Sequence, residues 1–332
     1  MPKHELLYLS QQDVINTGLT LAESVELVER ALREHGEKQV ENPPKPGIHP
    51  RGDAFIHAMP SFLRRLGIAG MKWVSGFFAN PARGLPSISG LIVLNDPDNG
   101  IPTAVMDCAY ITALRTAAVS GVAARHLARR DARVLGIVGA GLQGRYNLAV
   151  LQTVLPKLAS VQVNDVTPEA VERFRQAMAG TTSAEIVSCS TPRQAIEGAD
   201  VVVTATGWLD EPIFQTAWVQ PGALVLPVHA RGWNRTAPRD MDRFIVDDWQ
   251  QFNTSMGQPG GFYHPLPQPF AELSEIVAGA KPGRQDDRAR IIDFNYGMAV
   301  HDMVMADEVL RRARAKGLGV RLPQLDGVMP LT

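Results

Sequence analysis

The chain has 332 residues, 45% of them hydrophobic and 20% charged, with a formal net charge of −1. That balance suits a globular protein with a sizeable core and room for two or three domains, and it excludes the basic footprint that nucleic acid demands. No apolar run reaches the roughly 18 residues of a membrane span, and MPKHELLYLSQQ lacks the apolar core of a signal peptide, so a cytoplasmic location is expected. Cys108 and Cys189 stand far apart without a CxxC. They are expected to be buried small apolar residues, not a disulfide or a metal site.

From Thr20 to Lys38, Leu21, Val25, Val28 and Leu32 recur at helical spacing, and Thr20 can cap the start. ENPPKPGIHPRG is too rich in proline and glycine for regular structure. The apolar runs DAFIHAMP, IAGMKWV, SISGLIVLND and PTAVMD follow, broken by turn residues, which predicts a strand-rich block of antiparallel character. ITALRTAAVSGVAARHLAR reads as a helix. Past Arg133 the pattern changes: RVLGIVG, SVQVNDV, AEIVSC, DVVVTAT, ALVLPV and DRFIVDD alternate with helical stretches, which implies a parallel sheet with crossovers. QFNTSMGQPGGFYHPLPQPF is a loop by composition; AELSEIVAG, a strand RIIDFNY and a helix GMAVHDMVMADEVLRRARAK complete the pattern.

Gly139, Gly141 and Gly144 form G-x-G-x-x-G after an apolar strand and at the head of a helix. Glycines there permit a tight turn and close backbone approach, so a pyrophosphate can rest on the helix N-terminus. Asp165 ends the next strand, about 20 residues on, where a carboxylate meets the adenosine ribose. It would repel a 2′-phosphate, and no arginine follows it in NDVTPEA, so NAD is expected over NADP.

Two cations precede this unit in apolar surroundings: Lys72 in GMKWVSGFFAN and Arg115 in ITALRTAAVSG. Such groups are rarely buried without an anion. They form either a carboxylate clamp for a ligand or a buried ion pair with a local acid such as Asp107. These segments, with GLIVLNDPDNGIPTAVMD, GIVGAGLQG and the late DFNYGMAVHD, resemble the ornithine cyclodeaminase and mu-crystallin family over nearly the whole chain. The resemblance implies a homodimer whose substrate domain, built from both chain ends, forms the interface. It also implies hydride transfer at a C=N bond beside a carboxylate. By the same resemblance Lys45, Lys72, Arg115 and Tyr296 face the substrate, while Ser87, Arg115, Gln143, Asp165, Thr206, Val228 and Asn295 lie near the dinucleotide with Gly139, Gly141 and Gly144.

Three departures matter. Lys45 stands where the family has an arginine, and His57 where cyclodeaminases have an acid. After ALVLPV the family's catalytic aspartate is missing; the chain runs HARGWNRTAPRD, with His229 and Arg231 and no acid before Asp240. Either histidine is a structural residue or an imidazole exchanging the proton that accompanies hydride transfer. His57 is the better candidate for catalysis, alongside Lys72. Trp73, Phe77 and Phe78 beside Lys72 suggest a neutral or apolar substrate side chain.

The sequence is therefore read as α/β, with a Rossmann-type NAD-binding domain at 130–296. An α+β substrate and dimerisation domain spans 1–129, and a C-terminal helical segment, 297–332, returns to it. The expected activity is that of an NAD-dependent oxidoreductase on a small carboxylate-bearing amino or imino acid, of ketimine or cyclic imine reductase or amino-acid dehydrogenase type. The alternatives are a cyclodeaminase that recycles NAD, a non-catalytic dinucleotide- or ligand-binding protein, and an accessory subunit of an amine-oxidising system. No metal, nucleic-acid or membrane partner is expected.

Overall fold

The computed structural model describes residues 4–325; residues 1–3 and 326–332, the extremes of the expected segments 1–129 and 297–332, lie outside the described residues. Contacts divide the chain into two compact units. The first comprises the residues up to Thr20, Gln39–Thr112 and those from Ala299 onward; the second comprises Leu21–Lys38 and Ala113–Met298.

The first unit holds a mixed sheet. Its strands are β1 (His4–Leu9), β2 (Val40–Glu41), β3 (Gly47–Ile48), β4 (Ala54–Leu63), β5 (Ile68–Phe77), β6 (Ile88–Asn95) and β7 (Pro102–Asp107), with the last strand of the chain, Val320–Leu325. The central β4–β5–β6–β7 meander is antiparallel, as the short apolar runs and turn residues predict. β1 adds in parallel beside β7, and Val320–Leu325 pairs antiparallel with β1, so the two chain ends share one edge. Side chains alternate across the pleat. Met59, Leu63, Ile68, Lys72, Val74, Ile92, Leu94, Ala104 and Met106 are buried on one face, which the helix Ala299–Lys316 covers across β4, β5 and β6. Lys316 Nζ donates to the carbonyls of Asn16 and Thr17 at 3.1 and 2.9 Å, satisfying the last turn of the helix Gln11–Asn16.

The second unit is an all-parallel sheet of β8 (Val134–Val138), β9 (Ser160–Asn164), β10 (Glu185–Ser188), β11 (Val201–Thr204), β12 (Leu224–Pro227), β13 (Arg243–Val246), β14 (Ala271–Glu272) and β15 (Ile291–Phe294). The strand order is β10-β9-β8-β11-β12-β15-β13-β14. The chain leaves β8 toward β9 on one side and later crosses to β11 on the other, so a topological switch point lies between β8 and β11. The amphipathic helix Leu21–Gly36 packs in this unit against the helices Leu142–Val154 and Leu273–Val277. Among the described residues no helix is long and apolar enough to cross a membrane.

Candidate functional site

In the second unit, the loop after β8 is built around its glycines. Gly139 has φ +108°, and a Cβ there would stand 2.4 Å from the Ala205 carbonyl oxygen, so the loop lies directly against the chain leaving β11. A Cβ on Gly144 would meet the Gly139 carbonyl oxygen at 2.1 Å, which holds the helix Leu142–Val154 close to the strand. Gly141 differs. It is the N-cap of that helix, no side chain caps it, and a Cβ on it would touch nothing within 4 Å. The bare helix N-terminus with open space before it fits an anionic pyrophosphate.

Asp165 follows β9 and accepts from the Ala140 N–H at 2.8 Å through Oδ2, which ties the carboxylate to the glycine loop. Gln143 lies in the first turn of the helix, and its carbonyl accepts from Asn147 Nδ2 at 2.9 Å. Thr206 follows β11, Val228 follows β12 and donates its N–H to the Thr204 carbonyl at 2.9 Å, and Asn295 and Tyr296 follow β15. The structure thus gathers these residues at the C-terminal edge of the parallel sheet, where open α/β sheets take their ligands. Thr206 Oγ1 and Asn295 Oδ1 are buried there without a hydrogen-bond partner, an arrangement that suits groups awaiting a ligand.

Behind them are groups that the sequence reading did not single out. Asn295 Nδ2 donates to Asp293 Oδ2 at 2.8 Å. Asp293 is fully buried, and burial first, with the charge of neighbouring Asp247 added, pushes its carboxyl up to about 7. Asp247 accepts the Gly297 N–H at 2.6 Å. Gly297 has φ +97°, and a Cβ on it would stand 3.0 Å from an Arg115 guanidinium nitrogen, so both the turn and the arginine above it require glycine. Tyr296 sets its ring edge-on to Phe252, 6.2 Å between centroids. His229 carries an unpartnered buried Nδ1, and burial, then Arg231, pushes its imidazole down to about 4.

In the first unit, the pleat puts His57, Met59, Lys72 and Val74 on the same, inner face of β4 and β5. Lys72 Nζ makes an ion pair with Asp302 Oδ2 at 2.7 Å, with both side chains fully buried. The partner is therefore an acid from the C-terminal helix and not Asp107, whose Oδ1 accepts from the Ala109 N–H. A readable signal existed: Asp302 stands among Val300, Met303 and Val304, on a helix whose first turns are wholly buried. His57 lies on Gly47 across the β3–β4 ladder and stacks on Phe55 at 4.3 Å. Burial first, then Lys45, His49 and Lys72, push it down to about 4. The structure so brings Lys45, His49 and Lys72 close to His57, with the Lys72 charge met by Asp302. Ser87 heads β6 and accepts the Phe77 N–H through its carbonyl at 2.8 Å.

One expectation is corrected. Trp73 and Phe77 do not flank Lys72 as an apolar pocket, because the period of two turns them to the opposite, outer face, where Trp73 pairs with Leu91. They carry no information about the substrate side chain.

A protein-family model described as the ornithine cyclodeaminase/mu-crystallin family matches residues 5–317. The nodulation efficiency protein NfeD of Rhizobium meliloti is 42% identical over 94% of this chain and 97% of its own length. The solved structure of Thermococcus litoralis Delta(1)-pyrroline-2-carboxylate reductase, in complex with NADH and L-proline, is 31% identical. It covers 96% of this chain and 100% of that one, with a TM-score of 0.87. An archaeal alanine dehydrogenase dimer with bound NAD is 29% identical over 97% of this chain and 100% of that one, with a TM-score of 0.86. With a family model matched over nearly the whole chain, the chain belongs to the ornithine cyclodeaminase/mu-crystallin family.

Proposed function

We propose that this chain is an NAD-dependent oxidoreductase acting at the C–N bond of a small amino or imino acid, working in the cytoplasm as a homodimer. The observation that carries the reading is the uncapped helix N-terminus at Gly141, open in front and flanked by Asp165. It suits the pyrophosphate and ribose of NAD, and the like charge of Asp165 disfavours a 2′-phosphate. Gln143, Thr206, Val228 and Asn295 complete the cofactor surface in the second unit, and Ser87 is assigned to the cofactor by the family resemblance. When bound, the nicotinamide supplies or receives the hydride.

The chain's own residues handle charge and protons. By the family resemblance Lys45, Lys72, Arg115 and Tyr296 are assigned to the substrate carboxylate. His57 is neutral at pH 7 and takes the proton released when an amine is oxidised. In reduction it returns that proton, since a bound carboxylate offsets the charge of Lys45 and allows the imidazole to load. The homodimer reading rests on the outer face of the first sheet, where Trp73 and Leu91 are 43% and 41% exposed side by side.

The test is a panel of keto acids with ammonia or amines, cyclic imines and amino acids, followed by the absorbance of reduced nicotinamide. NAD-dependent turnover on part of the panel is expected; tight NAD binding with no turnover would instead make the chain a binding protein. Ornithine is expected to give no proline. His57 stands where the resemblance puts an acid in cyclodeaminases, and an imidazole offers no negative charge there to a second substrate ammonium. Production of proline and ammonia with catalytic NAD would restore the cyclodeaminase reading.

A further inference from the structure

The parallel sheet buries an acid that the proposed chemistry leaves unused. Asp293 lies in β15, wholly withdrawn from solvent, with Ile245 of β13 beside it. Its Oδ2 accepts from Asn295 Nδ2 at 2.8 Å, while its Oδ1 has no hydrogen-bond partner. Asn295 in turn has a buried Oδ1 without a partner, as has Thr206 at Oγ1. All of these residues belong to the second unit. Strand order says which half of a dinucleotide they meet. Asp165 and the glycine loop take the adenosine half over β8 and β9, so the nicotinamide half falls across the switch point, over β11, β12 and β15. Holding the Asn295 amide requires only an acceptor, which an uncharged side chain supplies. A fully buried carboxyl costs far more than that.

We propose that Asp293 is a positioning residue for the oxidation state of the cofactor: its carboxyl gives up a proton when the cationic, oxidised nicotinamide binds beside Asn295, and keeps it when the neutral, reduced ring binds. This rests on the proposed oxidoreductase reading. The groups around the carboxyl suit the role. Asp247, at the end of β13, adds a like charge, and its oxygens accept from the Asp248 and Gly297 N–H groups at 2.9 and 2.6 Å. β12, on the other side, ends in the apolar Leu226 and Pro227. The helix Ala109–Leu127 brings Arg115 over the Gly297 turn. Burial first, then Asp247, push Asp293 up to about 7, so one positive charge nearby tips it within the neutral range. His57 and His229 are pushed down to about 4 and stay outside that range. Asp293 thereby offers its negative charge to the oxidised ring alone, which favours NAD over NADH more strongly as pH rises.

The test is calorimetric titration of the full-length protein with NAD and with NADH between about pH 6 and pH 8, across the range where the carboxyl changes charge. The two ligands share adenosine, ribose and pyrophosphate, so their difference isolates the charge of the ring. NAD affinity should rise about tenfold across that range and NADH affinity should stay within about twofold. Buffers of different ionisation enthalpy should report about half a proton released per NAD bound at pH 7, and none for NADH. In Asp293→Asn, which keeps an acceptor for Asn295, the NAD profile should flatten and the proton release vanish. A wild-type NAD profile as flat as that of NADH, equal slopes for the two, or a slope and proton release that persist in Asp293→Asn overturns the proposal and leaves the oxidoreductase reading standing. Should the variant not fold, the wild-type profiles and proton release decide on their own. If neither ligand binds, the oxidoreductase reading falls, and this inference with it.

Discussion

Replacing Asp302 by leucine strips Lys72 of a carboxylate 2.7 Å away in a place where both side chains are fully buried. Breaking a buried pair from one side leaves a charge without compensation and costs about 3–5 kcal/mol, a large share of a typical total stability of roughly 5–15 kcal/mol. Replacing both partners by apolar groups removes the charge as well, so Lys72→Met/Asp302→Leu should recover most of that loss. Urea unfolding followed by circular dichroism measures both. The single variant has a further signature. Its Lys72 ammonium is disfavoured in the folded state but not in the unfolded one, so the unfolded chain binds more protons and stability should rise with pH up to the ordinary lysine range. A single variant that loses less than about 1 kcal/mol, or a double variant no more stable than the single, would refute the claim that this pair is desolvated and mutually dependent.

Asp165→Asn removes the charge beside the ribose while an amide oxygen can still accept from Ala140, so discrimination between NAD and NADP should shrink at least tenfold in a fluorescence titration, about 1.4 kcal/mol. Asp293 keeps its proton up to about pH 7 when folded and only to about 4 when unfolded. The folded state therefore binds more protons in that window, and this contribution to stability fades as pH rises through 7. Asp293→Asn should accordingly be more stable than wild type at pH 8 and little changed at pH 4.5, measured by thermal unfolding; the opposite ordering would contradict the assignment. Trp73→Glu on the outer sheet face should shift the mass in sedimentation toward a monomer without loss of secondary structure; an unchanged dimer would move the interface elsewhere.

Much of this architecture is legible in the sequence because its signals are local. The alternation of β4 to β7 and the apolar parallel strands from β8 onward follow from patterning, and the glycine loop announces both its turn and its ligand. What stayed hidden depends on long-range placement. β1 and Val320–Leu325 are edge strands that make sense only once paired with each other and with β7. The helix Leu21–Gly36 is plainly amphipathic, but no pattern says which unit buries its apolar stripe. Lys72 was recognisable as a cation needing an anion, yet the acid that meets it lies 230 residues away. Trp73 and Phe77 are neighbours of Lys72 in sequence but not in space, because the period of two in the strand turns them to the opposite face.

Hydride passes between a nicotinamide and the carbon that bears the nitrogen in the proposed reaction. Its most direct test is reduction of an accepted keto acid and ammonia with NADH deuterated at the transferred C4 position, with the product examined by mass spectrometry and proton NMR. Direct hydride transfer gives an amino acid carrying a single deuterium at Cα and one NAD formed for each product molecule. An amino acid without deuterium at Cα, or product formed with no net consumption of NADH, would contradict it.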